Sequence, residues 1–106
     1  MVVVLFRSRL TEAASGDYAS MAAAMREHAS SFPGYVDFKS YVSDDGERLS
    51  ISRWQDHDAV TAWRNDLRHR EAQRAGRGQW YEHYQIDVAD VVRSTSFTRA
   101  KTERGS

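Results

Sequence analysis

At 106 residues the chain has the length of one small domain, and a chain of that size removes roughly 60–68% of its unfolded surface from water on folding. It contains no Cys, which excludes disulfides, thiolate chemistry and Cys-based zinc sites. Fifteen basic residues balance fifteen acidic ones, and the N-terminal apolar run VVVLF is only five residues long, so a cytoplasmic protein is expected, with neither nucleic acid nor a membrane as partner.

Val2 to Phe6 is continuously apolar and rich in β-branched residues, the pattern of a strand buried on both faces. Asp17 suits an N-cap, and Tyr18, Met21, Ala22, Met25, Ala29 and Phe32 follow at i, i+3, i+4, i+7 spacing. That spacing predicts an amphipathic helix over 17–31, stopped by Pro33-Gly34. Tyr35 to Val42 and Leu49 to Trp54 read as strands, and the turn sequence SDDGER between them makes a hairpin. Asp56 is the next N-cap, opening a helix through Ala59, Val60, Trp63 and Leu67. A second helical piece over about 69–76 ends at the glycines of AGRG. Tyr81 to Val92 reads as a long last strand, with Tyr84, Ile86 and Val88 on one face and Ala89 and Val91 on the other. The domain then covers 1–93, and 94–106 is expected to be a flexible tail.

The order β-α-β-β-α-β is the ferredoxin-like arrangement of the α+β class, an antiparallel sheet with its helices on one face. The first and last strands carry apolar residues on both faces, so one chain leaves one sheet face uncovered. A second copy packed sheet to sheet covers it, which predicts a homodimer built as a dimeric α/β barrel.

His28, His57, His69 and His83 fall in four different elements without H-E-x-x-H or H-x-H spacing, so no metal site is expected. Gly76-Arg77-Gly78 follows a helix instead of opening one, which reads as a helix stop and not as a phosphate loop. No G-x-S-x-G elbow is present. Five Arg between Arg64 and Arg77 outnumber two acids, whereas residues 37–58 hold six acids against three bases. Such blocks solvate a helix face or pair across an interface, and one or two inward Arg would hold an anionic or enolate-like ligand. Trp63 shares a stripe with Val60 and Leu67 and reads either as core or as the wall of a cleft for a flat ligand. A buried indole N–H needs an acceptor in both cases, and the same two readings hold for Trp54. Tyr84 and Ile86 read as core.

The block W-x-D-x-x-A-x-x-A-W from Trp54 to Trp63 is followed by H-x-x-x-Q from His69, G-R-G-x-W-Y from Gly76 and Y-x-x-x-V-A-x-V from Tyr84. With the order of elements, these resemble the antibiotic biosynthesis monooxygenase domain family over about Val2 to Arg93. The resemblance implies a dimeric α+β barrel. It also implies kinship with cofactor-independent oxygenases of aromatic polyketides and with haem-degrading oxygenases. The haem-degrading branch would place its functional Trp at Trp63, but its iron-binding His falls on Gln73 and its catalytic Asn on Ser8, and an amide is a poor iron ligand. The polyketide branch would place its Trp at Trp54 and its Arg at Arg74, while its Asn falls on Ser50 and its Tyr on Val60.

An enzyme of this second kind deprotonates an activated phenol or anthrone, and the resulting enolate reduces dioxygen without metal or flavin. On that reading Arg74 stabilises the enolate, His69 is the base at neutral pH, and Trp54, Trp63 and Gln73 bind a small planar aromatic. The His69 role comes from imidazole chemistry and not from the family. The leading expectation is therefore a dimeric, cofactor-independent oxygenase of a quinol or anthrone-type substrate. The alternatives are a non-enzymatic ligand-binding or stress-response module using the same cleft and, third, haem degradation.

Overall fold

A computed structural model describes residues 1–12 and 16–100, apart from the side chains of residues 16, 17, 67, 68, 72, 76 and 79. In chain order the elements are β1 (Val2–Leu10), α1 (Gly16–Ser30), β2 (Tyr35–Val42), β3 (Arg48–Trp54), α2 (His57–Arg64) and α3 (Leu67–Ala75). A π-helical turn, Gly76–Trp80, then leads into β4 (Tyr81–Asp90). The sheet order is β2-β3-β1-β4 and every neighbouring pair is antiparallel, the α+β ferredoxin-like arrangement expected, with the helices over one face. The cap role of Asp17 and the core place of Leu67 concern side chains outside the described residues.

Several boundaries differ from those read in the sequence, each for a local reason. β1 continues past Phe6 to Leu10 because strict alternation replaces the apolar run. Ser8 faces the helices and is buried, whereas Arg7 is exposed and pairs with Glu47 at 3.4 Å. The helix opened by Asp56 ends at Arg64 and does not run through Leu67. Asn65 N–H donates to Thr61 O at 3.0 Å and Asp66 N–H to Trp63 O at 3.1 Å, closing the turn. A new helix then starts where Arg70 N–H donates to Asp66 O at 3.0 Å. β4 stops at Asp90, two residues short of Val92, and 91–100 has no regular structure.

Asp56 caps α2 as expected, its carboxylate accepting from Ala59 N–H at 2.9 Å, an interaction worth about 1 kcal/mol. The core lies between α2 and the Val2 end of the sheet and includes Val2, Val4, Ala29, Trp54, Ala59 and Trp63. Trp54 is wholly buried and its indole Nε1 donates to Ser52 Oγ at 3.0 Å. Tyr35 meets its edge, centroid to centroid 5.7 Å, and Trp63 stacks on it at 5.1 Å and 29°. Gly34, at φ +86°, lets the chain turn tightly against α2: a Cβ there would sit 2.6 Å from the Ala59 Cβ.

The opposite sheet face carries Val3, Leu5 and Ile51, with Arg53 Nε donating to Asp37 at 3.1 Å beside them. These apolar side chains are only partly buried within one chain. Among the described residues no helix is long and apolar enough to cross a membrane.

Candidate functional site

A cleft of about 170 Å³ separates the sheet from the helices. Its floor is two rows across three strands: Val4 flanked by Ser52 and Val88, then Phe6 flanked by Ser50 and Ile86. Strand alternation turns these even-numbered residues to the same side. Tyr18, Met21 and Met25 of α1 cover it, one helical stripe at i, i+3, i+7, and Val60 and Trp63 of α2 close one end.

The polar groups gather at that end. Trp63 is 9% exposed, and its Nε1 is a buried donor with no hydrogen-bond partner among the described residues. The His69 ring lies against the Trp63 ring, centroids 4.1 Å apart and tilted 46°. Burial lowers the His69 pKa from the ordinary 6.5, the nearby Asp66 carboxylate opposing the shift, so the imidazole is neutral at neutral pH. Asp66 is itself tied to His28 at the end of α1, Nε2 to Oδ1 2.9 Å. Gln73, one helical turn beyond His69, also lines the cleft. Arg26 and Arg64 are the cations of the rim; Arg26 sits over the Phe38 ring at 4.8 Å and donates to Phe38 O at 3.2 Å.

Trp63, His69 and Gln73 are thus brought together on one cavity. Trp54 is not: it stands behind Trp63, sealed from the cleft, with its N–H already satisfied. Arg74 is exposed in the last turn of α3 and lies outside the lining. Tyr84 and Ile86, read as core, line the cleft instead, and Ile86 is 38% exposed because β4 is an edge strand.

The end facing away from Trp63 is an aromatic cluster that no sequence motif marks. Phe6 lies 5.5 Å from both Tyr81 and Tyr84, and Tyr18 meets Trp80 at 5.6 Å and Tyr81 at 5.9 Å. Burial, reinforced by Tyr18, pushes the Tyr81 phenol up, so it stays protonated. The spacing of Tyr18 with Met21 and Met25 did mark an inward face, but periodicity does not tell a filled interior from a cleft.

Among the described residues no three His, Cys, Asp or Glu gather as metal ligands. The arrangement offers a flat apolar slot, one buried indole N–H without an acceptor among the described residues, and a neutral imidazole beside it.

Comparison with known proteins adds to this. A family model described as antibiotic biosynthesis monooxygenase matches residues 1–75. The protein YqjZ of Bacillus subtilis is 35% identical over 94 residues, covering 89% of this chain and 82% of YqjZ. Jasmonate monooxygenase of Pyricularia oryzae is 30% identical over 107 aligned positions, covering 96% of this chain but only 50% of that longer protein. Among solved structures, SnoaB, a cofactor-independent oxygenase from Streptomyces nogalater, superposes with a TM-score of 0.75 at 18% identity, over 88% of this chain and 94% of SnoaB, a likeness of fold.

Proposed function

The chain belongs to the antibiotic biosynthesis monooxygenase family, and from that membership we propose that it is a cofactor-independent oxygenase of a planar, enolisable aromatic of the quinol or anthrone type. The observation that carries this reading is the buried, unpartnered Trp63 Nε1 beside a neutral His69 in an apolar cleft. A donor left unsatisfied in the interior is costly unless a ligand oxygen completes it.

In the proposed reaction the substrate ring lies in the slot with its oxygen toward Trp63. His69 removes a proton from the activated carbon, and the charge that spreads to the substrate oxygen meets the indole N–H. The enolate passes an electron to dioxygen, the radicals combine into a C–O bond, and the peroxide loses water to leave a carbonyl. For an anthrone, a CH₂ and O₂ become a C=O and H₂O, with all four electrons drawn from the substrate. The rim cation Arg64 takes the charge-stabilising part that the sequence assigned to Arg74. Gln73 orients the ring edge, and a second copy of the chain covers Val3, Leu5 and Ile51 on the far sheet face.

The runner-up is a binding module without turnover. It is favoured by Ser50 and Val60 standing in the lining where the polyketide branch has Asn and Tyr. Haem degradation has less support, since Gln73 presents an amide where that branch uses imidazole and the His69 ring is packed on Trp63.

Oxygen uptake by the metal-stripped protein over a panel of quinols and anthrones tests the enzyme reading. One O₂ should be consumed per product formed. Arg64→Ala should lower kcat/KM about tenfold, with Arg74→Ala staying within about twofold, as for an exposed side chain. Ligands that quench Trp fluorescence without any turnover would leave the binding module standing and the oxygenase reading refuted.

A further inference from the structure

We infer that the aromatic cluster of Phe6, Tyr18, Trp80, Tyr81 and Tyr84 is a size gate that limits the ligand to one or two fused rings. The inference rests on the proposed quinol-type site and narrows its substrate class away from three-ring anthrones.

Three observations carry it. The first is volume: the cleft offers about 170 Å³, close to the roughly 150 Å³ of an apolar cavity that takes a single benzene. The second is closure at both ends. Trp63 is backed by the wholly buried Trp54 at one end, and the five rings of the cluster touch one another at centroid distances of 5.5 to 5.9 Å at the other. From the Trp63 end the floor is the Val4 row, and the next row, at Phe6, already belongs to the cluster; successive rows on a sheet face lie about 6.7 Å apart. The third is an open side along β4. Ile86 is 38% and Val88 48% exposed on edge strand β4, so a second ring can extend across them. A third ring would have to displace the cluster, in which Tyr81 is held from both sides by Phe6 and Tyr18. Tyr18 is the member best placed to set the limit, because it hangs from α1 over the slot and touches both Trp80 and Tyr81.

The test is calorimetric binding of two product-like quinones that need no turnover: juglone, with two rings, and danthron, with three. The unaltered full chain should bind juglone at least about tenfold more tightly than danthron, in line with the discrimination that an overfilled apolar pocket gives. Tyr18→Ala should shrink that ratio to about threefold or less by tightening danthron. Tyr84→Ala, at the same end, should act in the same direction, and thermal melting establishes that each variant is folded. Equal affinity of the unaltered chain for both quinones would overturn the gate while leaving the oxygenase reading intact. A preference that neither folded variant relaxes would equally remove the cluster as its cause. Binding of neither quinone would refute the quinol-type site itself, and the gate with it.

Discussion

The His69 imidazole rests on the Trp63 indole, centroids 4.1 Å apart, so the candidate base and an indole N–H that is buried without a partner among the described residues sit at the same end of one cleft. Each protects the other's state. The indole excludes water from the imidazole and keeps it neutral, and the imidazole helps to bury a donor that has no acceptor of its own among the described residues.

The pH dependence follows from that burial. His69 has its pKa lowered from 6.5, so the folded protein takes up this proton at a lower pH than the unfolded chain does. The stability associated with the neutral imidazole is complete above pH 6.5 and is lost as pH falls toward the folded pKa. Activity should therefore persist below pH 6.5 before an acid limb sets in. NMR titration of the His69 ring should report the same lowered midpoint, and His69→Gln should abolish turnover and the acid limb together. A midpoint at or above 6.5 contradicts the burial argument.

Trp63→Phe separates the ring from its N–H. Removing an unsatisfied donor offsets part of the lost packing, so urea unfolding should change by no more than about 1 kcal/mol. The rate constant kcat should nevertheless fall about a hundredfold, the scale of one lost oxyanion donor. Loss of stability without loss of kcat would make Trp63 a packing residue only.

Gly34→Ala should destabilise the fold by roughly 2–4 kcal/mol, because it combines a left-handed backbone with overpacking. The new Cβ meets Ala59 Cβ at 2.6 Å. Adding Ala59→Gly should restore the part due to the clash and leave the part due to φ, which a urea double-mutant cycle resolves.

Leu5 and Ile51 are cross-strand partners on the uncovered sheet face. Light scattering should give a dimer for the unaltered chain, and Leu5→Lys combined with Ile51→Lys should give a folded monomer. An unaltered chain that is monomeric at micromolar concentration removes the second copy from the proposal.

How much of this is legible in the sequence depends on the kind of signal. β2 and the Asp56 cap are found where local chemistry places them, since the Pro-Gly turn, the SDDGER hairpin and the Asp carboxylate act on their own neighbours. The break at Asn65 and Asp66 is not, because Leu67 continues the i, i+4 stripe from Trp63 and the interruption shows only in two backbone hydrogen bonds. His69 and Gln73 fall on one cleft because i, i+4 neighbours on one helix share a face, and Trp63 of α2 meets them there through its ring contact with His69 across the break between the two helices. Arg74, one residue on, turns about 100° away from Gln73. Trp54 looks like a candidate wall in the sequence because nothing there shows that Ser52, two residues earlier on the same strand face, already accepts its N–H.

Two irregularities lie in series between α3 and the cleft-facing part of β4. The turn Gly76–Trp80 is wound as a π-helix, and the β1–β4 ladder skips Glu82, since Arg9 faces His83 while Leu10 faces Tyr81. Each holds one residue more than the regular structure needs. The connection therefore has slack in its length: one residue can be deleted there and taken up by straightening the ladder, with Tyr84 and Ile86 still turned inward. A second deletion spends the remaining slack in the wide turn, and a third has nowhere to go but the strand. There a shift by one would carry Asp87 to the place of Ile86, opposite Phe6, and set a carboxylate into the slot.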